Sequence, residues 1–203
     1  MKLHMRAMLV FLMSAVAITA AWAEQKSVAD EQAEVEQDYQ DTVKIFEGAG
    51  ESGNFFGNSY GYAVFPTIGK AGLIIGGAHG KGRVYEQGEY VGNTSVTQGS
   101  IGLQAGAQAF SQIIFFENKS AFDTFTSGNF EFDAKTSAVV ITAAASAGAS
   151  TGVGSTAGAS GGKHDATTKG SYSNGMAIFT VAKGGLMLEV AVGGQKFSYI
   201  PLK

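Results

Sequence analysis

"GYAVFPTIGKAGLIIGGAHGKGRVYEQG" spans Gly61 to Gly88. Its valines, isoleucines and aromatics read as strand, yet glycine keeps recurring. Glycine ordinarily weakens a strand through backbone entropy and a missing side chain. Position parity accounts for it. Gly72, Gly76, Ala78, Gly80 and Gly82 occupy even positions, with Ile74 among them. One face is therefore nearly bare, so that another layer can approach the backbone or the sheet can curve sharply. The odd positions read Leu73, Ile75, Gly77, His79, Lys81, Arg83. That side starts apolar and ends basic, and it makes a cationic stripe if no bulge breaks the register. The plain alternative is a solvated strand end, since half-exposed strands carry charge outward.

Period-two alternation continues downstream. Ile101, Leu103, Ala105, Ala107 and Ala109 alternate with Gly102, Gln104, Gly106 and Gln108, and Ile113 and Phe115 resume the apolar side. Phe130, Phe132 and Ala134 alternate with Glu131, Asp133 and Lys135, which predicts another strand. Between them a short helix is expected from Asn118 to Ser127. Asn118 caps it, Ala121, Phe122 and Phe125 face inward, and Gly128 ends it. Met176 to Ala182 and Leu186 to Val192 read as a hairpin around Gly184-Gly185, followed by a last strand from Lys196 to Ile200. Ala143 to Gly162 is rich in Ala, Gly, Ser and Thr and reads as a strand end followed by a loop.

Upstream, Ser27 to Glu47 carries Val28, Val35, Tyr39, Val43 and Phe46 at helical spacing, and Gly48, Gly50 and Gly53 are expected to stop the helix. Before it, Lys2, His4 and Arg6 precede an apolar run from Ala7 to Ile18 and then Ala21-Trp22-Ala23. That pattern predicts a signal peptide, residues 1–23, cleaved near Ala23. The expected organisation is then an acidic helical segment, 24–53, and one β-rich domain, 54–203. The chain has no cysteine, so an exported product is held by packing rather than disulfides. Periplasmic or secreted localisation is expected.

Charge is uneven. Glu24 to Glu51 holds nine acids against two lysines, whereas Ser52 to Lys203 holds eight acids against ten bases. A nucleic-acid binder is normally far more basic, so no nucleic-acid partner is expected. Nucleotide chemistry finds no support either. Gly77 to Gly82, "GAHGKG", has two residues where a phosphate loop needs four, and glycine follows the lysine. Gly158-Ala159-Ser160-Gly161-Gly162 matches the serine-hydrolase elbow in letters only. Its surroundings are low-complexity, and the only later histidine, His164, is four residues from Ser160. No zinc or calcium motif occurs. No catalytic residue, metal site or cofactor is assigned.

Three blocks in order, "YGYAVFPTIGKAGLIIGGAHGKGRVY", "GSIGLQAGAQAFSQIIFFENKSAFDTF" and "GMAIFTVAKGGLMLEVAVGGQKF", resemble the SYLF lipid-binding domain family. The resemblance covers about Val43 to Phe197. It implies a non-enzymatic α+β domain, mostly antiparallel β, that binds anionic lipid. Two departures stand out: the leading helix is acidic, and Tyr90-Val91-Gly92-Asn93 stands near where the family commonly has a tryptophan. The implied partner in a bacterial envelope is an anionic phospholipid such as phosphatidylglycerol or cardiolipin. No actin is expected there.

The expected fold is a curved glycine-rich sheet closing toward a barrel or sandwich, with an N-terminal helix and one short helix. The expected lipid-binding residues are Lys81 and Arg83, with His79 on the same side. Lys70 and Lys183 lie beside glycine turns, and Lys163 and Lys169 lie in the loop. Two other functions fit the same letters: an envelope protein–protein adaptor using the acidic helix, and a small outer-membrane β-barrel.

Overall fold

The reversal that organises the sheet falls inside the glycine-rich stretch. In a computed structural model of the chain, residues 29–72, 75–101, 106–133, 136, 139–141, 170–183 and 192–203 are described. Gly61–Gly72 forms β1 and Ile75–Glu86 forms β2, and the two pair antiparallel from Gly61↔Glu86 to Gly72↔Gly76. By sequence alone one strand runs through this reversal, because Leu-Ile-Ile offers no turn chemistry. The next reversal is ordinary. Gln87 and Gly88 both take positive φ, as a two-residue hairpin turn requires, and β3 (Glu89–Ile101) returns along β2. Ile101 therefore ends β3 rather than opening the next strand.

The remaining strands are β4 (Gly106–Phe116), β5 (Asn129–Glu131), β6 (Val139–Ile141), β7 (Met176–Lys183) and β8 (Lys196–Pro201). They form one sheet in the order β5-β8-β3-β2-β1-β4-β7-β6, antiparallel throughout except for β6 against β7. β5 is shorter than the alternation from Phe130 to Lys135 suggested. β7 matches the first strand of the expected hairpin, while residues 184–191 lie outside the described ones.

The fold is α+β and mostly antiparallel β, as expected, but β5 and β6 end the sheet without pairing to each other. The expected closure to a barrel is thus not met among the described residues. The sheet nevertheless curls. Gln112 of β4 and Gln195, just before β8, exchange side-chain hydrogen bonds at 3.0 and 3.2 Å across four strand positions.

Pro66 shapes this curl. Lacking an N–H, it cannot serve a central ladder. The register of β1 slips there against both neighbours, between Val64 and Thr67 on β2 and between Phe65 and Ile68 on β4. Ser111 Oγ donates to the Pro66 carbonyl at 2.7 Å and satisfies it. Beyond the slip, the face of each β1 residue is reversed relative to simple alternation.

The inner face carries the main core: Ala63, Phe65, Ile68, Val84, Val96, Phe110, Ile114 and Phe197, all buried. Helix α3 (Lys119–Thr126) contributes to it with Ala121, Phe122 and Phe125. Asn118 Oδ1 accepts from the Ala121 N–H at 3.0 Å, and Gly128 follows with φ 119°. Cap and terminator are those expected, and such a cap contributes about 1 kcal/mol.

Two compact units divide at Gln40. In the first, residues 29–40 are helical, and Val35 is 47% exposed. In the second, the helix continues to residue 48, with Thr42, Phe46 and Ala49 buried at helical spacing. This helix is α1, 29–48. Gly48 ends it, as expected, whereas Gly50 and Gly53 fall inside a second short helix, α2 (Gly50–Phe56). Ser52 Oγ donates to the Phe46 carbonyl at 2.6 Å and ties the two helices together. The aromatics of α2 then cover part of the outer face. Phe55 packs on Phe115 and Phe179 at 5.4 and 5.0 Å between ring centroids, and Phe56 packs on Phe115 at 4.9 Å.

Candidate functional site

The outer face of the sheet has two halves. Over the end of β1, β4 and β7 that lies under α2 it is apolar, with Val64, Ile113, Phe115 and Phe179 fully buried. Over β2, β3 and β8 it is polar and open. Register fixes the pattern there, because directly paired residues share a face. His79 opposes Thr97, which opposes Lys196. Lys81 opposes Ser95, which opposes Ser198. Arg83 opposes Asn93, which opposes Ile200. The result is a grid of three rows across three strands, roughly 10 Å wide at the usual strand spacing.

Glycines make this orientation obligatory. Gly80 and Gly82 point to the inner face, where a Cβ would meet Ile68 Cγ1 at 2.7 Å and the Phe65 ring at 2.6 Å. Any register that turned Lys81 or Arg83 inward would drive a long cation into Phe65 and Ile68. His79 and Lys81 are accordingly exposed and Arg83 half-buried. The Arg83 guanidinium lies 4.8 Å from the centre of the Tyr90 ring, and the Tyr90 hydroxyl donates to Asn93 Oδ1 at 2.7 Å. A planar cation stacked on an aromatic is held in a fixed orientation.

Lys183 lies in the His79 row, through Ala109 of β4 and Gly69 of β1, and its side chain reaches toward the Lys81 row. Its Nζ donates to Thr67 Oγ1 at 2.8 Å, and Thr67 stands opposite Lys81. Lys196 closes the other end, 3.5 Å from Glu131 Oε2. Neither Thr67 nor Lys196 was singled out from the sequence. Their contribution depends on pairing between distant segments.

Lys70 does not belong with these cations. It opposes Ala78 of β2 and Gln108 of β4, and Ala78 is buried on the inner face. The slip at Pro66 puts it there. Lys163 and Lys169 lie outside the described residues. The structure thus gathers His79, Lys81, Arg83 and Lys183 on one surface and sends Lys70 to the other. Among the described residues, no group of three His, Asp or Glu side chains could hold a metal ion. None of the described helices is long and apolar enough to cross a membrane.

Next to Arg83 the outer face becomes aromatic. Tyr62 stacks on Tyr85 at 4.8 Å, and Tyr85 tilts against Tyr90 at 5.7 Å. Burial, with smaller contributions from Tyr85 and Glu47, pushes the Tyr62 phenol up to about 12 from its ordinary 10.0. The folded chain holds this proton more tightly than the unfolded chain does. Its stabilising contribution is therefore complete below pH 10 and disappears as pH rises toward about 12. A hydrogen bond to Glu86 raises Tyr60, and burial raises Tyr172 and Tyr199, so phenolate absorbance during alkaline titration should show several late steps, and Tyr62→Phe should remove one of them. Persistence of all of them in the variant would assign them to the other tyrosines.

No protein-family model matches the chain. It is similar to the curated protein "Beta cell expansion factor A" of Aeromonas veronii, with 28% identity over 157 residues, covering 76% of this chain and 51% of that protein. The chain spans about half the length of this curated relative.

Proposed function

We propose that this chain is an exported, non-enzymatic protein of the SYLF lipid-binding type, which docks on anionic membranes through the outer face of β2, β3 and β8. The observation that carries the reading is the alignment of Lys183, Lys81 and Arg83 on one open surface, with His79 alongside. Phosphate-bearing headgroups suit it, because lysine offers a point charge and arginine a two-pronged donor. The three glycine-rich blocks, in family order, support the same activity. The face is also polar, with His79, Lys81, Ser95, Thr97 and Ser198 on it. A barrel spanning the bilayer would instead present an apolar band, so contact at the membrane surface is the better fit.

A cation near an anionic bilayer contributes about 1 kcal/mol, and this attraction is screened over roughly 8 Å at physiological salt. Phosphatidylglycerol-containing vesicles should therefore float the protein, phosphatidylcholine vesicles should not, and salt should weaken recovery. Removing two cations in Lys81→Ala/Arg83→Ala should lower partitioning roughly 30-fold. Lys70→Ala, on the inner face, should leave it unchanged. Equal recovery on neutral and anionic vesicles, unaltered by the double substitution, would rule the reading out.

A further inference from the structure

The third row of the outer grid ends on an apolar residue. Arg83 opposes Asn93, and Asn93 opposes Ile200, which is 64% exposed. Two residues along, Leu202 is 45% exposed, and its N–H donates to the Val91 carbonyl at 2.9 Å, extending the ladder past Pro201. Among the described residues, Ile200, Leu202 and Val35 are the exposed large hydrophobics, so two of the three stand together at the end of β8. Isolated exposed apolar residues need no explanation, but adjacent ones at the margin of a basic face do. Along one side of β8 the chain reads Lys196, Ser198, Ile200, passing from charge to hydrocarbon within one strand. Edge pairing does not account for it. Pro201 has no N–H to offer a neighbouring strand, and the Tyr199 N–H is already donated to the Gly128 carbonyl.

We infer that Ile200, with Leu202 beside it, is an apolar anchor that enters the outer hydrocarbon of an anionic bilayer while Arg83 and Lys81 hold headgroups above it. The cations adjoining the patch select this occupant: charge complementarity favours an anionic lipid surface over a second copy of this chain, which would bring the same cations face to face. The inference rests on the functional reading above and adds a depth to it. Contact by cations alone would leave Ile200 in water.

The chain has no cysteine, so Ile200→Cys carries a single thiol for an environment-sensitive fluorophore. Thr124→Cys, on the exposed side of α3, is the control. On phosphatidylglycerol vesicles the Ile200 label should shift to the blue and be quenched by a nitroxide placed shallowly on the acyl chain, while the Thr124 label should do neither. Unlabelled Ile200→Ser/Leu202→Ser should fold normally, lose roughly tenfold or more in partitioning, and release completely at high salt. Vesicle binding with the Ile200 label still in water would overturn the anchor and leave headgroup docking standing. A blue shift that needs no lipid and grows with protein concentration would assign the patch to self-association and also overturn it. Absence of binding to anionic vesicles would overturn both readings.

Discussion

Replacing Gly82 with valine should lower the melting temperature by roughly 6–12 °C, at about 2–4 °C per kcal/mol for a chain of this size. The reason is local and steric. A Cβ at Gly82 would lie 2.6 Å from two Phe65 ring atoms and 2.8 Å from the Val64 carbonyl oxygen. Phe65 is fully buried, so its ring has nowhere to retreat, and the carbonyl belongs to the paired strand. Overpacking of this kind costs about 3 kcal/mol. Gly69→Val is the matched control. It lies on the neighbouring strand at the outer face, with nothing within 4 Å of its Cβ position, and should leave stability unchanged or slightly raised. Thermal unfolding followed by circular dichroism measures both. Equal effects of the two substitutions would mean that Gly82 does not face the core.

Gln112→Met should destabilise the fold by about 2–4 kcal/mol, and Gln112→Met/Gln195→Met should recover much of the loss. Both amides are fully buried, and each donates to the other. Removing one leaves the other with an unsatisfied donor and acceptor in an apolar interior, at about 1–3 kcal/mol per group. Removing both eliminates the debt and leaves two flexible apolar chains of similar shape. A double-mutant cycle in urea reads the coupling. Additive losses would show that the two amides do not act as a unit.

These two sites differ in how far the sequence revealed them. Gly82 was legible. Glycines at alternate positions imply one bare face, and the residues between them imply the other, so the outward direction of His79, Lys81 and Arg83 follows from β2 alone. The short helix was legible too, because its cap, buried stripe and terminator are all local. Gln112 was not. Nothing near it indicates that its partner is Gln195, 83 positions away. Lys70 was misplaced for a related reason. Its mark in the sequence is the glycine turn beside it, and nearness to a turn does not say which face a side chain takes; the slip at Pro66 turns Lys70 to the inner face. The reversal between β1 and β2 was not legible, because the letters between Gly72 and Gly76 include neither asparagine nor proline.

The letters alone determined the character of several elements: that β7 and β8 are strands, that the segment after Asn118 is a short capped helix, and which side of β2 must be bare. All of that follows from side-chain period and turn chemistry within about ten residues. Only the tertiary structure decided which cations share a surface. Lys183 reaches Thr67, Lys196 stands in line with His79, and Ile200 lies beyond Asn93 because strands distant in the chain pair in a particular register. Strand neighbours are chosen by long-range packing on Phe65, Phe110 and Phe197, and such packing leaves no periodic mark in the local sequence.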